Sequence, residues 1–294
     1  MIGFYNTSSN CYLNSALQAL LSIEDFRKNI IKNRNKHHLL ATISDFAEGY
    51  HENQIANPSK LKQQLSQMSH FFRQNGQQDA HECIVNLLDT IHEILRTTKK
   101  DKNPAFNDYL RVFGFSFITN LFAGQLCTQF ICSNCNKARE THETFMDLSI
   151  PVSNGHRNLL DSLTTFGSHE LLGDPIMCDG CRASTKTYRV SSISKFPNIL
   201  LITLVNPNKV PIGIPEILNI SREQRSGANK MYVLSCVINH IGTLRSAGGH
   251  YFCTVRNDGK WVMVDDTLHI PLRTMEWPSG SPYVLVYEST SIIA

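Results

Sequence analysis

The chain has 294 residues, of which 41% are hydrophobic and 18% charged, with a formal charge of +3. This is the balance of an ordinary globular protein with room for a large core, and the charge is too small and too dispersed to argue for a nucleic-acid or membrane partner. No apolar run approaches the roughly 18 residues of a membrane span.

The first ten residues lack the basic and apolar regions of a secretory signal, so an intracellular setting, cytoplasmic or nuclear, is expected. Nine cysteines, an odd number, then fit thiol chemistry or metal better than a disulfide framework.

In chain order, "NTSSNCYLNSALQALL" comes first. Small polar residues lead into Cys11, after which Leu13, Ala16, Leu17 and Leu20 recur at helical spacing. A helix start would favour thiolate over thiol at Cys11. The same polar residues are also ordinary capping chemistry, so this stretch alone does not separate a nucleophile from a core thiol.

A second helix is expected in "DAHECIVNLLDTIHEIL", with Ile84, Leu87, Leu88, Ile91 and Leu95 on one face. Asp79 and Glu82 at its start read either as a capping pair or as two carboxylates on one helical face. The stretch "KKDKNPAFNDY" reads as a loop or linker. From about Phe115 the pattern turns to short strand-like runs, among them "ILLITLV", "YVLSCVI" and "YVLVY". The fold class expected is α+β, helices first and then a largely antiparallel sheet.

Two C-x-x-C pairs, Cys132/Cys135 and Cys178/Cys181, stand about forty residues apart. Each pair can take two corners of a tetrahedron, and together they make a closed four-cysteine zinc site with no open position for catalysis. No basic and aromatic cluster surrounds them, so a nucleic-acid role is not expected. Cys83, Cys127, Cys236 and Cys253 sit inside apolar helix or strand patterns, where a thiol acts as a small hydrophobe.

The segment "HYFCTVRNDGKWVMVDD" reads as a hairpin around Asp258-Gly259, a favoured two-residue turn. With Asn257 paired to Lys260, Val255 faces Val262 and Cys253 faces Val264. Asp265 then shares a face with His250 while Asp266 points away, and a slip of one residue would exchange them. A carboxylate there can hold an imidazole in the tautomer that accepts a thiol proton.

Taken in order, these segments resemble the ubiquitin-specific proteases, papain-like cysteine deubiquitinases, over nearly the full length. "GFYNTSSNCYLNSALQAL" is similar to the family's cysteine box, "GQQDAHE" to its QQDAxE segment, "GGHYFCTV…WVMVDD" to its histidine box, the cysteine pairs to its zinc ribbon and "SPYVLVYE" to its closing strand.

The resemblance implies one catalytic domain over 1–294, with a helical thumb to about residue 114, zinc-ribbon fingers and part of an antiparallel β palm to about 210, and the rest of the palm beyond. Cys11 is the implied nucleophile, His250 its base and Asp265 the orienting carboxylate, with Asp266 as alternate or support. Asn6 and the Cys11 backbone N–H are the implied oxyanion donors. Gln77, Asp79, Glu82, Gly249 and Tyr251 are expected along a channel for ubiquitin's tail, with Gly248 beside them. One structural zinc on Cys132, Cys135, Cys178 and Cys181 is expected, and no catalytic cofactor. The expected partners are ubiquitin and ubiquitinated proteins, with the enzyme a monomer.

The chain departs from the family pattern at Ser8, Ser9 and Asn10, where Gly-Asn-Thr is usual, and at "LVNPNK", where Leu-Lys-Arg-Phe is usual. These departures keep two other readings in view, a non-catalytic ubiquitin-binding module and a protease for another ubiquitin-like modifier.

Overall fold

The computed structural model describes residues 1–7, 9–74, 76–220, 230–242, 249–278 and 281–290; Ser8 and Gly248 lie outside the described residues. Strand β1 (Gly3–Phe4) precedes α1 (Cys11–Ser22), followed by α2 (Glu24–Lys32) and α3 (His38–Glu48). Strand β2 (Ile55–Ala56) pairs in parallel with β1, and then come α4 (Ser59–Met68), α5 (Ala80–Leu95), α6 (Pro104–Phe113) and α7 (Phe117–Phe122). Among the described residues no helix is long and apolar enough to cross a membrane.

The long apolar helix α5 is as its periodicity predicts, with Ile84, Leu87, Leu88, Ile91 and Leu95 all buried. The stretch read as a linker is in part a helix. Asn103 is the cap of α6, accepting the backbone N–H groups of Ala105 and Phe106, and Pro104 occupies its first turn. Asn-Pro, a loop signal in the sequence, is here a helix start, because proline's missing N–H costs nothing in a first turn.

The remaining strands form two main sheets. The smaller contains β3 (Gly124–Cys132), β4 (Ala138–Phe145), β6 (Glu170–Leu171) and β9 (Thr187–Lys195), in the order β4-β3-β9-β6. A separate hairpin of β7 (Ile176–Cys178) and β8 (Ala183–Thr185) lies between β6 and β9 in the chain. The larger sheet runs β15-β14-β13-β12-β16-β10-β5, with β11 also paired to β12. Its members are β5 (Leu148–Pro151), β10 (Ile199–Val205), β11 (Ile217–Ile220), β12 (Lys230–Ile241), β13 (His250–Asn257), β14 (Lys260–Asp265), β15 (Leu268–Pro271) and β16 (Pro282–Ser289). Helix α8 (Leu159–Phe166), not foreseen among the strand-like runs, packs beside β5.

The larger sheet is covered on both faces, which is why its central strands read as continuous apolar runs. Along β10 and β16, Ile199, Leu201, Val284 and Val286 join Leu13, Leu17, Ile84 and Leu88 in one core under the helices. The alternate residues Leu200, Ile202, Leu285 and Tyr287 join Leu159 and Trp261 in a second core on the opposite face. Helix α1 is clamped between α5 and β13, and every residue from Cys11 to Leu21 is buried. This wedge carries the first residue of α1 to the first residue of β13.

Candidate active site

The backbone before α1 is set by polar contacts rather than by a side-chain cap. Ser9 has φ of 55°, a left-handed conformation that non-glycine residues rarely adopt. Asn6 Oδ1 accepts the Asn10 N–H at 2.7 Å, and Asn10 Oδ1 accepts the Lys62 ammonium at 2.8 Å. Cys11 thereby begins the helix with its side chain only 3% exposed.

Three donors surround its sulfur: the imidazole of His250, the backbone N–H of Tyr251 and the amide of Gln77, whose Nε2 lies 3.3 Å away. Burial pushes the thiol pKa up, but the bonds from His250, Tyr251 and Gln77 outweigh it and hold the thiol below its ordinary value. The other side of His250 meets Asp265, Nε2 to Oδ1 at 2.6 Å, which leaves Nδ1 for the sulfur. The hydrogen bonds to Asp265 and to Cys11 push the His250 pKa up to about 10, against burial, which works the other way.

The hairpin that brings these groups together has the expected register, Asn257 opposite Lys260, Val255 opposite Val262 and Cys253 opposite Val264. Asp258 and Gly259 take φ of 49° and 77°, as a two-residue turn of this kind demands.

Asp266 lies beside this line, its carboxylate within 4.8 Å of His250 and Asp265, but bonds elsewhere. Its φ is 52°, its carbonyl accepts the Phe4 N–H at 2.9 Å, and its carboxylate takes two amides. Oδ2 accepts Asn6 Nδ2 at 2.9 Å and Oδ1 accepts Asn14 Nδ2 at 2.7 Å. Asp266 thus ties the β14 end to the segment on which Asn6 and Cys11 stand. Asn6 keeps one amide hydrogen beyond the one given to Asp266. Asn14 was missed by sequence reasoning, although it sits three residues after Cys11.

Gln77 also donates to the Gly249 carbonyl, so a single amide joins the segment before α5 to the start of β13 and to the sulfur. At Gly249 a Cβ would run into the ring of His240, so only glycine fits without moving that ring. The His240 ring lies 4.5 Å from that of Tyr251, tilted by 42°, and the His240 carbonyl accepts Lys209 Nζ at 2.8 Å.

Asp79 is the cap of α5: Oδ1 accepts the N–H groups of His81 at 2.8 Å and Glu82 at 3.0 Å. Its Oδ2 accepts the hydroxyls of Tyr283 at 2.7 Å and Tyr251 at 3.4 Å. Both oxygens are therefore engaged inside the protein, whereas Glu82 stands exposed.

The four paired cysteines come together at the end of the smaller sheet. Cys132 and Cys181 sulfurs are 3.9 Å apart, and those of Cys135 and Cys178 are 3.6 Å apart. Four thiolates about 2.3 Å from one zinc would be separated by roughly 3.8 Å, so the set fits the ion.

The two knuckles match in detail. Asn136 and Arg182, each just after a second cysteine, have φ of 56° and 52°. Their N–H groups bond back to the Cys132 and Cys178 carbonyls at 2.9 and 2.8 Å. The Asn134 and Gly180 N–H groups point at the Cys132 and Cys178 sulfurs, both at 3.4 Å.

The family model described as ubiquitin carboxyl-terminal hydrolase matches residues 2–287. Human ubiquitin carboxyl-terminal hydrolase 2 is 28% identical over 99% of this chain and 55% of its own length. Drosophila melanogaster ubiquitin carboxyl-terminal hydrolase Usp2 is 27% identical over 99% of this chain and 35% of its own. The chain thus spans about half or less of these curated relatives.

Among solved structures, the SAGA DUB module of Ubp8, Sgf11, Sus1 and Sgf73 bound to monoubiquitin contains a similar fold. It has a TM-score of 0.82 at 19% identity, over 99% of this chain and 69% of that one. The same module bound to ubiquitin aldehyde gives 0.81 at 19% identity, over 99% of this chain and 70% of that one. Helical thumb, β palm and four-cysteine fingers are the architecture described above, and the chain belongs to the ubiquitin carboxyl-terminal hydrolase family.

Proposed function

We propose that this chain is a thiol-dependent deubiquitinase that hydrolyses the isopeptide or peptide bond after the C-terminal glycine of ubiquitin. The observation that carries the reading is the hydrogen-bonded line from Cys11 through His250 to Asp265, with the thiol pKa lowered and the imidazole raised.

Cys11 attacks the glycine carbonyl as a thiolate. The new C–S bond forms as the carbonyl electrons move onto oxygen, where the Cys11 backbone N–H and the remaining Asn6 hydrogen donate. Gln77, already against the sulfur, is a further donor at hand. Collapse of the tetrahedral species expels the lysine amine, which takes its proton from His250. Water, deprotonated by His250, then releases the thioester. Asp265 keeps the imidazole turned toward the sulfur in both halves of the cycle. Asp266 acts through Asn6, by holding the segment that carries it.

Gly249, Tyr251 and Gln77 would wall a channel that only a glycine tail can enter. Of the acidic pair expected to meet the tail arginines, Glu82 is the open carboxylate, and Asp79 would serve first by fixing Tyr251 and Tyr283. Cys132, Cys135, Cys178 and Cys181 would hold one structural zinc, a closed site that supplies folding energy and no chemistry. The enzyme would act as a monomer on ubiquitinated proteins in the cytoplasm or nucleus. The solved neighbours, bound to monoubiquitin and to ubiquitin aldehyde, support ubiquitin as the partner.

The test is incubation with ubiquitin bearing a C-terminal electrophile, read by intact mass, with Cys11→Ala beside it. One ubiquitin added to the wild type and none to the variant is expected. Folded protein that binds ubiquitin without forming an adduct would overturn the enzymatic reading in favour of a binding module. Adducts only with another modifier's tail would move the substrate.

A further inference from the structure

The smaller sheet carries a second group of metal-binding side chains, apart from the four-cysteine set and from Cys11. Strands β3 and β4 pair with Cys127 directly opposite His142 and Gln129 directly opposite Glu140. Residues two apart on a strand share a face, so Cys127, His142 and Glu140 stand together. The Cys127 sulfur, a His142 ring nitrogen and a Glu140 carboxylate oxygen all lie within 4.8 Å of one another. Cys127 is nearly covered at 9% exposure, while His142 and Glu140 are open to solvent.

We infer that Cys127, His142 and Glu140 form a second metal site, for zinc or a divalent ion of similar softness. Zinc takes sulfur at about 2.3 Å and imidazole nitrogen or carboxylate oxygen at about 2.0–2.2 Å. Tetrahedral neighbours at those lengths are separated by roughly 3.2–3.8 Å, so the group must close by about 1 Å. The exposed side chains of His142 and Glu140 supply that movement by rotation, and the paired backbone beneath them stays in place.

A thiolate and an imidazole in one site select against magnesium and calcium, which prefer an all-oxygen set. Gln129, itself only 6% exposed, already donates its amide to Glu140. A hydrogen bond of that kind orients a ligating carboxylate before the ion arrives. Binding replaces the Cys127 S–H bond by a metal–sulfur bond and releases the proton to solvent, with no change of oxidation state.

This site differs from the four-cysteine set in being open. Three protein ligands leave a fourth corner for water or for a donor from another molecule. On the same face, two residues before Cys127, Gln125 accepts the amide of Asn103, the cap of α6, at 3.1 Å.

The experiment is a zinc titration of the whole chain with its four-cysteine site already loaded, competed against a chromophoric chelator, with bound metal counted by inorganic mass spectrometry. A second equivalent is expected on the wild type. His142→Ala, at a solvent-facing position, should weaken that second equivalent by at least about tenfold and leave the first unchanged. Glu140→Gln should weaken it less. Cobalt in place of zinc gives an independent reading, since a single-thiolate site adds a weaker charge-transfer band than four thiolates, and His142→Ala should remove only the weaker contribution. No second equivalent at saturating zinc, or one that His142→Ala binds as tightly as the wild type, would overturn the site.

Discussion

From Cys11 to Leu21 every side chain of α1 is buried, between α5 on one side and β13 on the other. By contrast, β4 has six consecutive exposed residues, and β7 and β8 pair over only three residues each. The Cys11 sulfur is thus held by packing and hydrogen bonds on elements that cannot shift without opening a core. The knuckles rest on turn hydrogen bonds and the end of β3 rather than on a core, and a segment that small relies on metal for its order. The comparison teaches which perturbation should reach which region: side-chain substitutions disable the Cys11 end without unfolding it, and metal removal unfolds the tip without disabling Cys11.

The largest effect expected is complete loss of covalent labelling in Cys11→Ala with the melting temperature nearly unchanged. Asp265→Asn should come next, with a loss of about 10²- to 10⁴-fold in the labelling rate, the range for an impaired acid–base group. The pH profile sharpens this. Because the thiol pKa is lowered and the imidazole raised to about 10, the thiolate–imidazolium pair persists between those two values. The rate should rise with pH along a limb below the ordinary thiol range and hold until His250 loses its proton near about 10. In Asp265→Asn the upper limb should move down, since the first cause of the raised imidazole is gone. An unchanged upper limb would mean that Asp265 does not hold His250 in solution.

Asn6→Ala should cost roughly 3 kcal/mol of transition-state stabilisation, about a hundredfold in rate, with little change in ubiquitin binding. Stripping zinc with a chelator should expose the two knuckle segments, residues 132–137 and 176–185, to limited proteolysis while the Cys11 labelling rate falls by less than in any of these variants. Simultaneous loss of the core's cooperative unfolding transition would break the comparison, because it would tie the large sheet to the tip.

Much of this was legible in the sequence, and unevenly so. The hairpin register could be read because Asp258-Gly259 fixes a two-residue loop, and strand alternation then decides that Asp265, and not Asp266, faces His250. The knuckles could be read because four identical ligands at matched spacing have few other uses. Helix α8 escaped notice because an eight-residue segment with two adjacent threonines has weak helical preference, and packing beside β5 decides it. The contact of Gln77 with Cys11 spans 66 positions, and nothing local to either residue announces it. The double engagement of Asp79 is similar: its capping role lies in the D-x-x-E pattern, but the two tyrosine hydroxyls arrive from β13 and β16.

The smallest effect expected concerns the polar strut between the helical half and the sheets. His81 of α5 reaches Asp147, just before β5, Nε2 to Oδ2 at 2.8 Å, with the side chains 23% and 24% exposed. Burial pushes the His81 pKa down, but the bond and charge of Asp147, helped by Asp79 and Glu82, leave it above its ordinary value. A histidine raised in the folded state stabilises most below its unfolded pKa of about 6.5, and that contribution fades as pH rises through the folded value. His81→Asn should therefore lower the unfolding free energy more at about pH 6 than at about pH 8, by a difference of ~0.5–1 kcal/mol for a pair this open, with the denaturation midpoint shifting accordingly. Midpoints measured at both pH values decide the matter. A cost that is the same at both would mean that His81 joins the two halves by packing rather than by its charge.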